Sequence, residues 1–560
     1  MLFRSMFASK DSLFTVPTVG AYTISRSMRL RSSASANLNR TYSGTGTSAT
    51  IKTLSMWVKR GSLGSEQRLA NSNTSAAATT FLRFDSADTL TFQFEGSSGI
   101  ILTTTQVFRD PSAWYHIVLA IDTTQATSAN RVKLYVNGSQ ITSFGTTNYP
   151  SQNATTTLFG YASAGNRIGS IYDASGSFFD GYLTEINHID GQALTPSSFG
   201  STNAITGVWQ PAKYTGTYGT NGFYLNFADN SAATAAAIGK DLSGNGNNWT
   251  PNNISVTSGA TYDSMTDVPT LTSATAANYA VLNPLWKGAN TTISNGNLYA
   301  TNSTNAFNDA ISTMPIISNG KSYWEITLSS LSDAYRITFG LCTPTFGPNG
   351  DPTTGNPGCG WQQNSSNTTG NFYVNNASVY SVANANSVND VFMFAYDDST
   401  GRIYVGKNGA WFNSGNPAAG TGYVGTLTTG NTYLPIVNLN TSTGTNAVYF
   451  NFGAGSGFSY SAPSGFVALN TYNLPAGSVT TSGSFTGNAS TDGPFIYLNG
   501  VPAAMTINGN AVTFGTNADH LANGFKVRSS SASYNASGSN TYSITTTGAK
   551  FKYANAQTNP

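Results

Sequence analysis

The chain has 560 residues, beyond the roughly 250–300 at which a single hydrophobic core stops growing, so about three domains are expected. Charged residues make up 9% against about 25% in an ordinary domain, while the apolar share, counted with Gly and without Tyr, is about 44% and near normal, so Ser, Thr, Asn and Gly stand where charge is missing. The 31 Phe, 29 Tyr and 8 Trp argue against disorder, and a net charge of +2 without a block of like charge argues against nucleic acid or an anionic membrane as the main partner.

In chain order, residues 1–40 are Ser-rich and carry six Lys or Arg against one acidic residue, Asp11, a superficial likeness to a transit peptide without the continuous apolar core of a secretory signal. Residues 1–20 follow no strand pattern and are read as a separate arm. No run of about 18 apolar residues is present, so no bilayer-spanning segment is expected. Beyond the arm, short alternating runs bounded by Gly, Asn and Ser recur to the end, which is the pattern of an all-β chain. Tight hairpins are predicted at Asn137-Gly138, Asn408-Gly409 and Asn499-Gly500, because both residues of an Asn-Gly pair tolerate positive φ. The alternation lapses near 256–279 and again after 470. The expected fold class is therefore all-β, as tandem antiparallel β-sandwiches: 21–255, a linker at 256–279, 280–470, and a small C-terminal β-module at 480–560. Cys342 and Cys359 are too few for a disulfide scaffold and are read as two buried thiols in preference to a pair.

Three segments of the first unit, Leu54-Ser55-Met56-Trp57-Val58-Lys59, Trp114-Tyr115-His116-Ile117-Val118 with the hairpin through Asn137-Gly138, and Phe179-Asp180-Gly181-Tyr182-Leu183-Thr184-Glu185-Ile186, resemble a laminin-G-like member of the concanavalin A-like lectin and glucanase superfamily. That family usually opens with an apolar strand and an Asp-x-Ser-Gly-Asn-Gly-Asn turn. Here the matching Phe223-Tyr224-Leu225-Asn226-Phe227 and Asp241-Leu242-Ser243-Gly244-Asn245-Gly246-Asn247 come last, so the sandwich is either permuted, the preferred reading, or followed by a partial second copy. In the second unit, Gly320-Lys321-Ser322-Tyr323-Trp324-Glu325-Ile326, Asp390-Val391-Phe392-Met393-Phe394-Ala395-Tyr396-Asp397 and Lys407-Asn408-Gly409-Ala410-Trp411 fall in the order of a SPRY domain, which the unit resembles. The whole order is similar to long proteins of tailed bacteriophages that are usually taken for virion fibre or adhesin components.

Catalytic residues are not expected. Glycosidases on this sandwich need two close carboxylates, whereas Glu66, Glu95, Glu185 and Glu325 are scattered, and His116, His188 and His520 are too far apart for a triad or zinc site. Asp241, Asn245 and Asn247 could offer oxygen ligands to calcium, or simply form an Asx turn. Sugars present apolar C–H faces and many hydroxyls, so aromatic rings beside neutral polar groups are the ligand-binding candidates: Trp361, Tyr373 and Trp411, with Asn408, Asp333 and Tyr335 placed near them by the SPRY resemblance. The expectation is a non-enzymatic virion surface protein, a tail or head fibre or adhesin that binds a host cell-surface glycan or protein receptor. It would contact other virion proteins through its arm and act as a homotrimer. A head or neck fibre or capsid decoration protein is the first alternative, and a polysaccharide depolymerase the second.

Overall fold

The computed structural model describes residues 22–546 except 76–77, 95–100, 161–164, 203–207, 271–272, 334–335, 347–357, 475–479, 492, 494, 498–501, 514–517 and 522–523. The expected arm at 1–20 and the Asn499-Gly500 turn therefore lie outside the described residues. What is described is all-β, with antiparallel sheets throughout.

In the first sandwich, strand Ile51–Arg60 lies between Trp114–Asp122 and Gly181–Asp190 at the centre of an eight-stranded sheet. Alternation sends Leu54, Met56 and Val58 inward, where they meet Leu82, Phe84, Leu90 and Phe92 of a second eight-stranded sheet. Each such side chain contributes about 1.5–3 kcal/mol by leaving water. The hairpin at Asn137-Gly138 forms as predicted, with φ of 48° and 84°.

The late segment completes this sandwich and does not begin another. Strand Phe223–Leu225 pairs with Gly181–Asp190, strand Thr250–Asn252 pairs with Asn37–Arg40, and Trp249 lies in the same core.

The second sandwich stacks a seven-stranded sheet, centred on Ile337–Cys342, against an eight-stranded one centred on Lys321–Ser330. Its Asn408-Gly409 turn has φ of 51° and 87°. The C-terminal module has a four-stranded and a three-stranded sheet around Phe485, Ile507, Phe525 and Val527. Lys526 Nζ ties it to the second sandwich by donating to Leu285 O at 2.6 Å.

The linker expected at 256–279 is instead built into the fold. Strand Ser264–Met265 pairs with Ser27–Leu30, and Tyr279 bridges to Asn470. Asp263 is buried and takes Arg29 at 3.1 Å and Arg31 at 2.8 Å. Lys59 Nζ donates to Asp267 Oδ2 at 2.6 Å, Asn278 Oδ1 at 2.7 Å and Tyr279 O at 2.9 Å, all fully buried. The Asp180 carboxylate accepts the N–H groups of Asn295 and Gly296, and Tyr182 Oη donates to Gly296 O, so the second sandwich docks on the first through a seam that joins buried polar groups to a shared apolar cluster. A segment rich in Thr, Ser and Ala reads as a linker only because its partners are distant in sequence.

Candidate functional site

The structure does not assemble the described members of the sequence-predicted ligand set into one surface. Trp361, expected as an exposed plate, is a core residue at 0% exposure, stacked on Phe412 at 4.6 Å and 5°. Strand Gly358–Gln363 alternates Gly358 and Gly360 outward with Cys359 and Trp361 inward, which leaves the indole no route to solvent. Trp411 is half-buried among Tyr323, Met393, Tyr404, Phe458 and Tyr460 on the outer face of the other sheet. Asn408 spends its amide on the turn: Oδ1 accepts from Val391 N at 2.8 Å and Nδ2 donates to Asp390 at 2.7 Å. Asp333 accepts from the side chain and backbone of Ser442, bonds that pull its pKa down, so it ties one loop to another. Tyr373 is partly exposed on the outer face of strand Thr369–Val374, and Tyr335 lies outside the described residues.

Several of the described groups with latent chemistry are committed to structure, whereas both ring nitrogens of the buried His188 have no hydrogen-bond partner among the described residues. His116 is stacked between Trp57 and Trp209, accepts from Trp209 Nε1 at 2.9 Å and lies 2.9 Å from Ser55 Oγ; burial drives its pKa down to about 3. Glu66 pairs with Arg68 and Arg83, and Glu325 accepts the backbone N–H groups of Ser459 and Tyr460. Glu185, at positive φ, receives the hydroxyls of Tyr22 and Tyr224 at 2.7 and 2.9 Å, and burial raises its pKa to about 7. Glu95 lies outside the described residues, as does the His520 side chain. Cys342 and Cys359 are free and buried.

Asp241, Asn245 and Asn247 do come together, but as a hydrogen-bonded turn. The Asp241 carboxylate accepts from Tyr224 N, Ser243 N, Ser243 Oγ and Asn247 N at 2.7–2.8 Å. Asn247 Oδ1 takes the Arg40 guanidinium, and both Asn side chains donate to backbone carbonyls of 219–222. A cation would have to displace these donors, and the geometry matches the Asx turn.

A site absent from the sequence reading lies on the outer face of the first sandwich. Strand Val132–Val136 turns Leu134 into the core and Lys133 and Tyr135 outward. With Ala120, Asp122, Gln125, Asn130, Ala193, Leu194 and Thr195 they line an open groove of about 240 Å³. Its rim is rigid. The Arg131 guanidinium donates to Gln125 O, Ala126 O and Pro150 O, each at 2.8 Å. Burial works against the Asp122 carboxylate, yet hydrogen bonds from Thr124 and Gln125 hold its pKa below the ordinary value. Among the described residues the Asn130 amide, the Lys133 ammonium and the Tyr135 hydroxyl have no side-chain partner, and burial keeps that hydroxyl protonated. Its one legible signal was the mix of cation and aromatic on one face of a hairpin.

The described groove thus offers a donor cation, an amide and one carboxylate beside Tyr135, whose ring is 8% exposed, within the volume of a small polar ligand. Among curated proteins no match to the chain is found. Solved structures that resemble parts of it include the SPRY domain of human HERC1, at 15% identity and a TM-score of 0.25, covering 30% of this chain and 96% of that one. A putative carbohydrate binding protein from Bacteroides ovatus has 15% identity and a TM-score of 0.26, with 41% and 59% covered. A heptameric SAP-like pentraxin from Limulus polyphemus has 19% identity and a TM-score of 0.22, with 31% and 80% covered. Over residues 32–198, the part of the first sandwich that contains groove strand Val132–Val136, the chain matches the concanavalin A-like lectin/glucanases superfamily.

Proposed function

We propose that this protein binds glycans without processing them, and that one sugar residue sits in the groove beside Tyr135. The observation that carries the reading is the set of uncommitted polar groups, Asn130, Lys133 and the Tyr135 hydroxyl, around one aromatic ring in a sandwich of lectin type. An apolar ring face with a few convergent polar groups is the complement a pyranose requires. Glycoside hydrolysis calls for two carboxyl groups flanking the bond, and the groove lining supplies one, Asp122. A glycan array followed by titration of the best ligand tests this. Lys133→Ala and Asn130→Ala should each weaken binding about tenfold, or about 1.4 kcal/mol, with melting unchanged. Undiminished binding in both variants would remove the groove from consideration.

The finer reading is a fibre or adhesin on the surface of a phage particle, anchored through residues 1–20 and recognising a host glycan. Domain order and low charge support it. A homotrimer fits that role because repetition of a weak site raises avidity by about 10²–10⁴. Gold labelling of intact particles tests the location and separates an adhesin from a head decoration. Sedimentation that finds only monomer would reject the trimer.

A further inference from the structure

The seam between the two sandwiches holds an arrangement that goes beyond docking. Lys59 Nζ is 2.7 Å from the side-chain carbonyl oxygen of Asn278 and 2.6 Å from Asp267 Oδ2. The amide carbon therefore lies one C=O bond, about 1.2 Å, beyond an atom the amine already touches. On its other side the amide nitrogen donates to Ser112 O at 2.6 Å, and Trp114 Nε1 donates to the second Asp267 oxygen at 3.1 Å. Trp57, Trp114, Tyr182 and Tyr279 enclose the cluster, none more than 2% exposed.

We propose that Lys59 and Asn278 form an intramolecular isopeptide bond, with Asp267 as the proton carrier. Asp267 takes a proton from the Lys59 ammonium, and the freed lone pair attacks the Asn278 side-chain carbon. A new C–N bond forms as the C–Nδ2 bond breaks. The departing nitrogen, aimed at Ser112 O, takes up one further proton from Lys59 through Asp267 and leaves as ammonia. One ammonium, one carboxylate and one primary amide become one secondary amide, one carboxylic acid and one ammonia, with no outside reactant. The enclosure supplies what the step needs: burial pushes Lys59 down and Asp267 up, which favours a neutral amine beside a neutral acid. It also fixes the reactants without solvent.

A second buried lysine serves as an internal contrast. Lys52 Nζ meets Asp190 at 3.1 Å, but Asp190 also accepts the N–H groups of Thr47, Ser48 and Asn221. Although burial opposes it, Lys52 and these donors hold Asp190 below the ordinary carboxylate pKa. No amide carbonyl accepts from Lys52 among the described residues, and that pair stays ionic.

Mass spectrometry of the full chain decides the matter. The bond predicts an intact mass about 17 Da below the sequence mass, the loss of one ammonia, and a tryptic species joining the peptides of Lys59 and Asn278. Lys59→Met, Asn278→Ala and Asp267→Asn should each restore the full mass expected for that variant. The wild-type protein alone suffices if a variant fails to fold. An intact mass equal to the sequence, with Lys59 and Asn278 recovered in separate peptides, overturns the proposal, as does a deficit that maps elsewhere.

Discussion

Replacing Trp361 by Ala measures how firmly the second sandwich depends on a ring first read as a ligand plate. The indole is fully buried, lies parallel to Phe412 at 4.6 Å and contacts Phe392 at a centroid distance of 5.9 Å. A Trp or Phe removed from such a site costs about 3–5 kcal/mol, the lost transfer energy plus the cavity. In a unit of this size about 1 kcal/mol moves the midpoint by roughly 2–4 °C, so the loss should be roughly 6–20 °C by calorimetry. Gly370 gives an independent reading of the same contact, because a Cβ there would run into the indole. Gly370→Ala should therefore destabilise the wild type and be better tolerated beside Trp361→Phe. Trp361→Phe should cost less than the Ala variant, since the indole N–H has no hydrogen-bond partner to lose. If Trp361→Ala melts within about 2 °C of wild type and loses ligand binding, the ring is surface-exposed and the packing described above is wrong.

Other expectations follow from the same contacts. Glu185, with its pKa raised from 4.5 to about 7, stabilises the fold most in the acid form; the contribution is complete below pH 4.5 and lost as pH rises through 7, roughly 3 kcal/mol in all. Glu185→Gln should flatten the stability profile in that window, and a profile of unchanged slope would count against the burial of this carboxyl. His116 has the opposite sign: its folded pKa falls from 6.5 to about 3, so stability present above pH 6.5 drains away down to pH 3, and His116→Gln should reduce the acid sensitivity seen in a melting series. Calcium and chelator should leave the melting temperature unchanged, because the Asp241 carboxylate is filled by four donors; a calcium-dependent rise would restore the ion site. Asp263→Ala strands the buried Arg29 and should cost about 3–5 kcal/mol, read by urea denaturation.

The parts of this fold legible in sequence were those set by neighbours along the chain. Asn137-Gly138 and Asn408-Gly409 dictate their turns through backbone freedom alone, and the alternation of Leu54, Met56 and Val58 fixes which face goes inward. The late position of the Phe223–Leu225 strand was also readable, from its resemblance to the strand with which the family usually opens. What escaped were the choices made by distant partners. Trp361 alternates like any strand residue, and its burial depends on Phe412 crossing above it. Asp263 and Asp267 look like turn residues until Arg29 and Lys59 arrive from more than two hundred positions away. The groove was hidden because Thr195 and Leu194 reach Tyr135 from a separate connection, and polar surface residues carry no mark of what they will face.

The few charges this chain possesses include several sealed inside it, as at Lys52 with Asp190 and Arg29 with Asp263. Mobile ions screen attractions between exposed charges more than about 8–10 Å apart at ordinary salt, but they screen buried pairs much less. The joint between the two sandwiches should therefore hold equally in dilute buffer and in brine. A sparsely charged exterior also exerts little long-range pull, so capture of a ligand should depend on close fit and show almost the same on-rate across ionic strengths.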